Sequence, residues 1–166
     1  PNRVRMSIAE RKAVAILVAE IGGRPAAVKV DSEGVAFAEA SDREAASLPV
    51  LSGLRFEDFR LGTRLPASLA PVLSSLAKVR DEEPLLLSAF SEIRVVRKAR
   101  GDPELILYPM GARIPVLSGP VLSAQSLRSM ILVLDVLGTK GIAGSVGELD
   151  FRSGTVVYRG KEDHSG

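Results

Sequence analysis

The chain has 166 residues, which is enough for one domain or two small ones. Its hydrophobic content of 46% and charged content of 25% are those of a globular protein, and with aromatic residues at only 4% its core must be aliphatic. The 22 basic residues nearly balance the 20 acidic ones, so charge does not indicate nucleic-acid binding, and the absence of cysteine excludes disulfides, thiolate metal sites and a catalytic thiol.

The first third of the chain is predicted to be β-structure. Apolar and polar residues alternate from Arg3 to Ile8, and the β-branched run that follows favours one long strand over 3–20 with a bend near Arg11. Glycine and proline then mark the turns. The pattern predicts, in order, a turn at Gly22–Pro25, a strand at Ala27–Val30, a hairpin turn at Asp31–Gly34 and a returning strand at Val35–Ala38.

A polar link at Ser41–Ser47, with a short helical turn, leads into the next extended segment, Leu48–Leu54. Pro49 has no backbone N–H to give to a neighbouring strand, so this strand is expected at an edge of the sheet. A charged loop at Phe56–Leu65 follows it.

Two helices with a strand meander between them are predicted next. Apolar residues at helical spacing indicate a helix at Pro66–Arg80 and a second at Ser123–Leu137, which Ser123 should cap and Gly138 should end. The meander has three predicted strands: Ile93–Arg97, Glu104–Tyr108 and Arg113–Leu117. The fold class expected from this order is α+β, an antiparallel sheet with two helices packed on it.

The last stretch, Glu148–Arg159, predicts a strand, a tight turn or bulge at Ser153-Gly154 and a second strand that includes Thr155–Tyr158. Only a polar tail follows, and residues 161–166 are expected to be disordered. The final strand is therefore a candidate open edge that could accept another chain. The alternative is an ordinary last strand whose edge is blunted by Arg159 and Lys161.

Residues that could carry catalysis are sparse. The single histidine, His164, lies in the terminal tail, and neither a phosphate-binding loop nor a dinucleotide fingerprint is present. Carboxylates cluster at Asp31/Glu33 and at Asp81–Glu83. Both clusters lie in turn-like sequences, where exposure to solvent explains the acidic residues better than acid–base catalysis does. We therefore expect no enzyme activity, no metal and no cofactor; a small carboxylate hydrolase would need a pocket with two convergent carboxylates.

Asp150 and Arg152 alternate on one face of the predicted strand. They could form an ion pair, a catalytic pair or a patch that faces a partner. Ion pairs and partner contacts are far more common than catalytic pairs on an exposed strand face.

Four short motifs together resemble the bacterial cell-division family FtsQ/DivIB. Glu10–Ala15 is similar to the family's Glu-Arg-x-Pro-x-Ala run, with Ala13 in the place of Pro, and Val30–Phe37 is similar to its Val-Asp-x-x-Gly-x-x-Phe hairpin. Leu48–Gly53 resembles the Leu-Pro-x-Leu/Ile-x-Gly signature, and Glu148–Arg152 the C-terminal Ile-Asp-Leu-Arg strand, although Ser153 stands where the family often has an aromatic residue. The motifs occur in the family's order across nearly the whole chain.

The resemblance implies a domain layout. Residues 1–44 would be the C-terminal part of a POTRA-like domain, which adds a partial strand hairpin before the sheet, and residues 45–160 would be the family's β domain. The chain starts with Pro1, and we expect a fragment whose cytoplasmic tail, single membrane span and remaining POTRA residues lie upstream. Its expected location is extracytoplasmic, at the division septum.

The function implied is that of a non-enzymatic scaffold. It would bind FtsB/DivIC-like and FtsL-like division proteins by strand addition and help regulate septal peptidoglycan synthesis, with Arg152 as a charged anchor. The alternative is a POTRA-type chaperone module that hands substrate strands to an outer-membrane barrel. The expected partner-binding residues are Arg152, Ser153, Gly154, Thr155, Val156, Val157 and Tyr158.

Overall fold

A nine-stranded sheet dominates the computed structural model, which describes residues 10–160. Its spatial order is β3-β2-β1-β4-β5-β6-β7-β8-β9, and most neighbours are antiparallel; β1/β4, β4/β5 and β7/β8 are parallel. The strands are β1 Ala13–Ile21, β2 Arg24–Asp31, β3 Ala36–Glu39, β4 Val50–Ser52, β5 Phe90–Val96, β6 Glu104–Pro109, β7 Val116–Ser118, β8 Val146–Asp150 and β9 Val157–Gly160.

In the described part of the chain, four α-helices accompany the sheet: α1 Asp42–Ser47, α2 Ala70–Glu82, α3 Leu85–Ser88 and α4 Ala124–Thr139. Short 3-10 turns at Ala67–Leu69 and Ala143–Ser145 precede α2 and β8. The expected α+β class is confirmed. None of the helices within residues 10–160 is long and apolar enough to cross a membrane.

The first hairpins follow the sequence prediction closely. Gly22 and Gly23, both with positive φ, join β1 to β2, and Arg24 and Pro25, predicted in that turn, already belong to β2. The Asp31 side chain accepts the backbone N–H of Glu33 (3.0 Å) and of Val35 (2.8 Å), which closes the predicted hairpin turn. The first half of the expected long strand, residues 3–9, lies outside the described residues.

The edge position expected for Leu48–Leu54 is wrong. β4 lies between β1 and β5, parallel to both. Pro49 is tolerated because it stands just before the strand, where only its carbonyl is used: the oxygen accepts the N–H of Ile16 at 3.0 Å.

Helix α4 begins as predicted and ends later. The Ser123 hydroxyl accepts the N–H of Ser126 (3.0 Å), and Ser126 Oγ accepts the N–H of Ser123 (2.9 Å), which together form a capping box. The prediction that Gly138 ends the helix is wrong, since the chain reverses only at Gly141, which takes the positive φ of 69°.

The core lies between the sheet and helices α2 and α4. The large buried apolar residues of both helices share one apolar cluster with the strands. Strand register aligns one row of that cluster across the sheet on one face: Leu51, Ile93, Leu107, Val116 and Leu149. The expected domain boundary at residue 44 lies inside α1 and separates β1–β3 from β4–β9. In the sheet, β1 of the first part is hydrogen-bonded directly to β4 of the second, and the boundary stays a prediction.

Candidate partner-binding edge

Strand β9 closes one side of the sheet. It pairs with β8 and is the last strand in the order, so its outer side has no neighbouring strand among residues 10–160. All of its residues are exposed. The expected tail, residues 161–166, and His164 within it lie outside the described part of the chain.

The structure corrects the bounds of the expected binding strand. β9 begins at Val157, so Thr155 and Val156 belong to the β8–β9 connection together with Arg152, Ser153 and Gly154. The connection between β8 and β9 is six residues long, 151–156. It begins with a turn in which the Asp150 carboxylate accepts the N–H of Arg152 at 3.0 Å, and Gly154 then takes a φ of 76°. Among the expected partner-binding residues, only Val157 and Tyr158 lie in the strand.

The backbone hydrogen bonds of β8 determine which way β9 points. Leu149 donates to Pro115 O (3.0 Å) and Phe151 to Leu117 O (2.9 Å), so these two residues face β7. Backbone groups alternate along a strand, so Glu148 and Asp150 face β9, and their register partners Arg159 and Val157 face back toward β8. Within Val157–Arg159, before the register shift that pairs Gly160 with Val146, Tyr158 is therefore the residue whose N–H and C=O point outward.

The edge has an apolar side chain on each face of the sheet. Tyr158 is opposite Leu149, so it extends the buried row on the helix side, yet it is 67% exposed. Val157, opposite Asp150, projects from the other face and is 52% exposed. A strand added here would cover both side chains and gain their burial.

Arg152 is held within the chain. Its guanidinium binds Asp150 through Nε (2.9 Å to Oδ1) and Nη2, and Nη1 reaches Glu104 Oε2 on β6 at 2.9 Å. The hydrogen bonds from Arg152 lower the pKa of the Asp150 carboxyl to about 2, and the pKa of Arg152 is raised in turn. Glu104 also pairs with Lys98, and that hydrogen bond is the main cause of its lowered pKa.

These contacts favour the ion-pair interpretation of Asp150 and Arg152. They tie the β8–β9 connection to β6 and so set the position from which β9 starts. Arg159, with its side chain 71% exposed and 3.1 Å from Glu148 Oε1, is the more accessible cation of the edge.

The opposite edge of the sheet is covered at the start of its last strand, β3. β3 is only four residues long, and its Ala36 both donates to Thr63 O (2.9 Å) and accepts from Gly62 N (2.7 Å). Val35 also forms a bridge with Arg64. A loop thus pairs with the start of β3 on the side on which another chain would pair, while β9 has no such cover among residues 10–160.

The carboxylates of the Asp31/Glu33 turn and of the cavity beside the β1–β2 turn have structural or solvated positions. Asp31 is buried, holds the hairpin turn and pairs with Arg11, which also lies 3.3 Å from Glu33. A cavity of about 860 Å³ beside the β1–β2 turn is lined by Glu20, Glu57 and Asp58, all exposed. Within residues 10–160, no group of three or more acidic or histidine side chains is placed to hold a metal ion.

Comparison with known proteins identifies no relative: no family model, no curated protein and no solved structure matches the chain. The likeness to FtsQ/DivIB therefore depends on the four motifs. The structure places Glu10–Lys12 directly before β1, the Val-Asp motif at the β2–β3 turn, the Leu-Pro motif on β4 and the last motif on β8. Sequence reasoning missed Glu104 as the second partner of Arg152, because 48 residues separate them.

Proposed function

We propose that this chain is the extracytoplasmic part of a single-pass division scaffold of the FtsQ/DivIB type, which binds an FtsB/DivIC-like protein, with FtsL, by strand addition at β9. The observation that carries the proposal is the edge of β9, whose outer side no strand among residues 10–160 covers. Tyr158 presents its N–H and C=O outward there and continues the apolar row of the core. The proposed family rests on the four ordered motifs of the sequence.

Main-chain pairing provides affinity in strand addition, and alternate side chains provide specificity. A partner strand would bond the outward groups of Tyr158 and place its own side chains beside Tyr158 on one face and Val157 on the other. Both side chains are large, apolar and exposed, as expected of a surface that is buried on binding.

Proline variants test the proposal because each removes one backbone donor. Tyr158→Pro removes an outward donor, so the fold should survive while binding falls at least about tenfold below that of Tyr158→Ala, which loses the side chain alone. Val157→Pro removes a donor to β8 and should lower the melting temperature instead. The measurement is calorimetric titration with the extracytoplasmic part of the FtsB/DivIC-like protein, with circular dichroism for the fold.

Two results would contradict strand addition. One is equal affinity of folded Tyr158→Pro and Tyr158→Ala; the other is full binding by both proline variants. Arg159→Glu offers a separate check of the rim charge, and any loss it causes should shrink at high salt.

A further inference from the structure

Helix α4 has an apolar stripe on its outer side that nothing in residues 10–160 covers. Leu132 is 63% exposed and Val136 is 42% exposed. A helix of a globular domain usually turns polar residues to solvent, but here the sequence from Met130 to Leu137 is apolar on every side apart from Asp135. Such a helix is expected to be covered on its outer side as well.

The exposed positions of α4 have the spacing of a helix–helix seam. Gln125, Ser129, Leu132 and Val136 follow one another at intervals of four, three and four residues, which places them on one line along the helix. Any outward face of a helix shows this spacing; what distinguishes α4 is that large apolar residues fill its second half and the small Ser129 its first half. A Leu packs well opposite a Ser on an antiparallel neighbour.

The charged residues beside this seam are complementary to those of a second α4 helix. Arg128 and Asp135 are both exposed, lie seven residues apart and occupy the same flank of the stripe. If a second α4 runs antiparallel so that Leu132 meets Ser129 and Val136 meets Gln125, Arg128 of each helix comes opposite Asp135 of the other. The surface is then complementary to itself, as a twofold contact requires.

We infer that α4 is a self-association surface, on which a second copy of this chain packs antiparallel, with Leu132 near the twofold axis, Val136 at each end of the seam and two Arg128–Asp135 pairs at the rim. In the single chain, Arg128 already lies 3.3 Å from Glu83, a long and exposed contact, whereas Asp135 forms none of the ion pairs found in residues 10–160. One helix pair is a small interface, so the dimer should form only at roughly tens to hundreds of micromolar chain.

Sedimentation velocity over a concentration series tests the inference. The wild-type chain should shift from monomer to dimer as concentration rises, and Leu132→Ser should keep it monomeric. Leu61→Ser removes an exposed leucine in the loop before α2 and should leave the dimer unchanged. Circular dichroism checks that each variant is folded.

A charge swap separates this arrangement from other modes of dimerisation. Arg128→Asp and Asp135→Arg should each abolish self-association, because each puts like charges opposite one another twice. An equimolar mixture of the two variants restores opposite charges at both contacts and should form a mixed dimer. A wild-type chain that stays monomeric at several hundred micromolar, or a dimer unaffected by Leu132→Ser, would overturn the inference; titration of β9 with its partner is independent of either result.

Discussion

At the scale of single residues, the positive-φ glycines differ in what surrounds them. Gly53, at the end of β4, has a φ of 79°, and an added Cβ would lie 2.3 Å from the carbonyl oxygen of Val95. Gly34, at the β2–β3 turn, has a φ of 77°, and an added Cβ would meet the flexible end of Leu73 at 3.3 Å. Gly62 has a φ of 92° and open space.

Alanine substitutions at these glycines should therefore be graded. Gly62→Ala should lower the free energy of unfolding by about 1 kcal/mol through backbone strain alone. Gly34→Ala should cost slightly more, and Gly53→Ala about 2–4 kcal/mol, because β5 must move away from the new methyl group. Urea unfolding measures the three values, and equal losses at Gly53 and Gly62 would contradict the close approach of β4 and β5.

Asp150 predicts an acid dependence of stability. Its folded pKa of about 2 lies below the ordinary value of 3.8 because Arg152 binds the ionised form. The stabilisation is therefore present above about pH 4 and is lost as pH falls toward 2. The stability difference between the wild-type chain and Asp150→Asn should be constant from pH 5 to 7 and shrink steadily below pH 4 in urea unfolding.

Glu57→Gln is the matched control for the pH series, since Glu57 is exposed and forms none of the ion pairs found in residues 10–160. Its stability difference from the wild type should change little with pH. A difference for Asp150→Asn that is equally flat would mean that the Arg152 contacts contribute nothing in solution.

At the scale of elements, the sequence predicted what is determined locally. The turn at Asp31–Gly34 depends on an Asp, a Gly and two N–H groups within five residues, and the start of α4 depends on Ser123 and Ser126. Apolar periodicity likewise identified both long helices, because the core face of a helix repeats within its own sequence.

Long-range pairing could not be predicted in the same way. The position of β4 depends on Ile16 and on β5, which lie far from Pro49 in the chain, so the proline signal led to the wrong edge assignment. The start of β9 depends on Arg152, just after β8, reaching Glu104 on β6 across β7. The outward direction of Tyr158 depends on bonds between β8 and β7, which no pattern within Glu148–Arg159 contains.

At the scale of the whole molecule, one apolar cluster joins the two parts that the sequence resemblance separates. Val14, Leu17, Val28 and Val30 come from residues 1–44, and they share the cluster with α2 and with β5–β8. Arg80 of α2 also donates to the carbonyl of Ala13 at 3.2 Å. Elements that share a core in this way are expected to unfold together.

A strained glycine in the first part tests this expectation. Gly23, in the β1–β2 turn, has a φ of 79° and no atom near an added Cβ, so Gly23→Val should cost at least about 1 kcal/mol by local strain alone. Both tyrosines, Tyr108 and Tyr158, lie after residue 45, so tyrosine fluorescence monitors only the second part. We expect Gly23→Val to lower the urea midpoint measured by fluorescence as much as the midpoint measured by circular dichroism.

The comparison distinguishes one folding unit from two because strain at the β1–β2 turn can reach the tyrosines only through the shared core. Gly111→Val provides the reference, since Gly111 has a φ of 76°, lies in open space and belongs to the second part, so it should shift the fluorescence midpoint under either architecture. An unchanged fluorescence midpoint in Gly23→Val beside a shifted one in Gly111→Val would mean that residues 1–44 unfold independently. If Gly23→Val shifts the fluorescence midpoint as much as the circular-dichroism midpoint, the sheet from β3 to β9 is a single cooperative unit. The edge strand β9 would then be supported by the full stability of the fold.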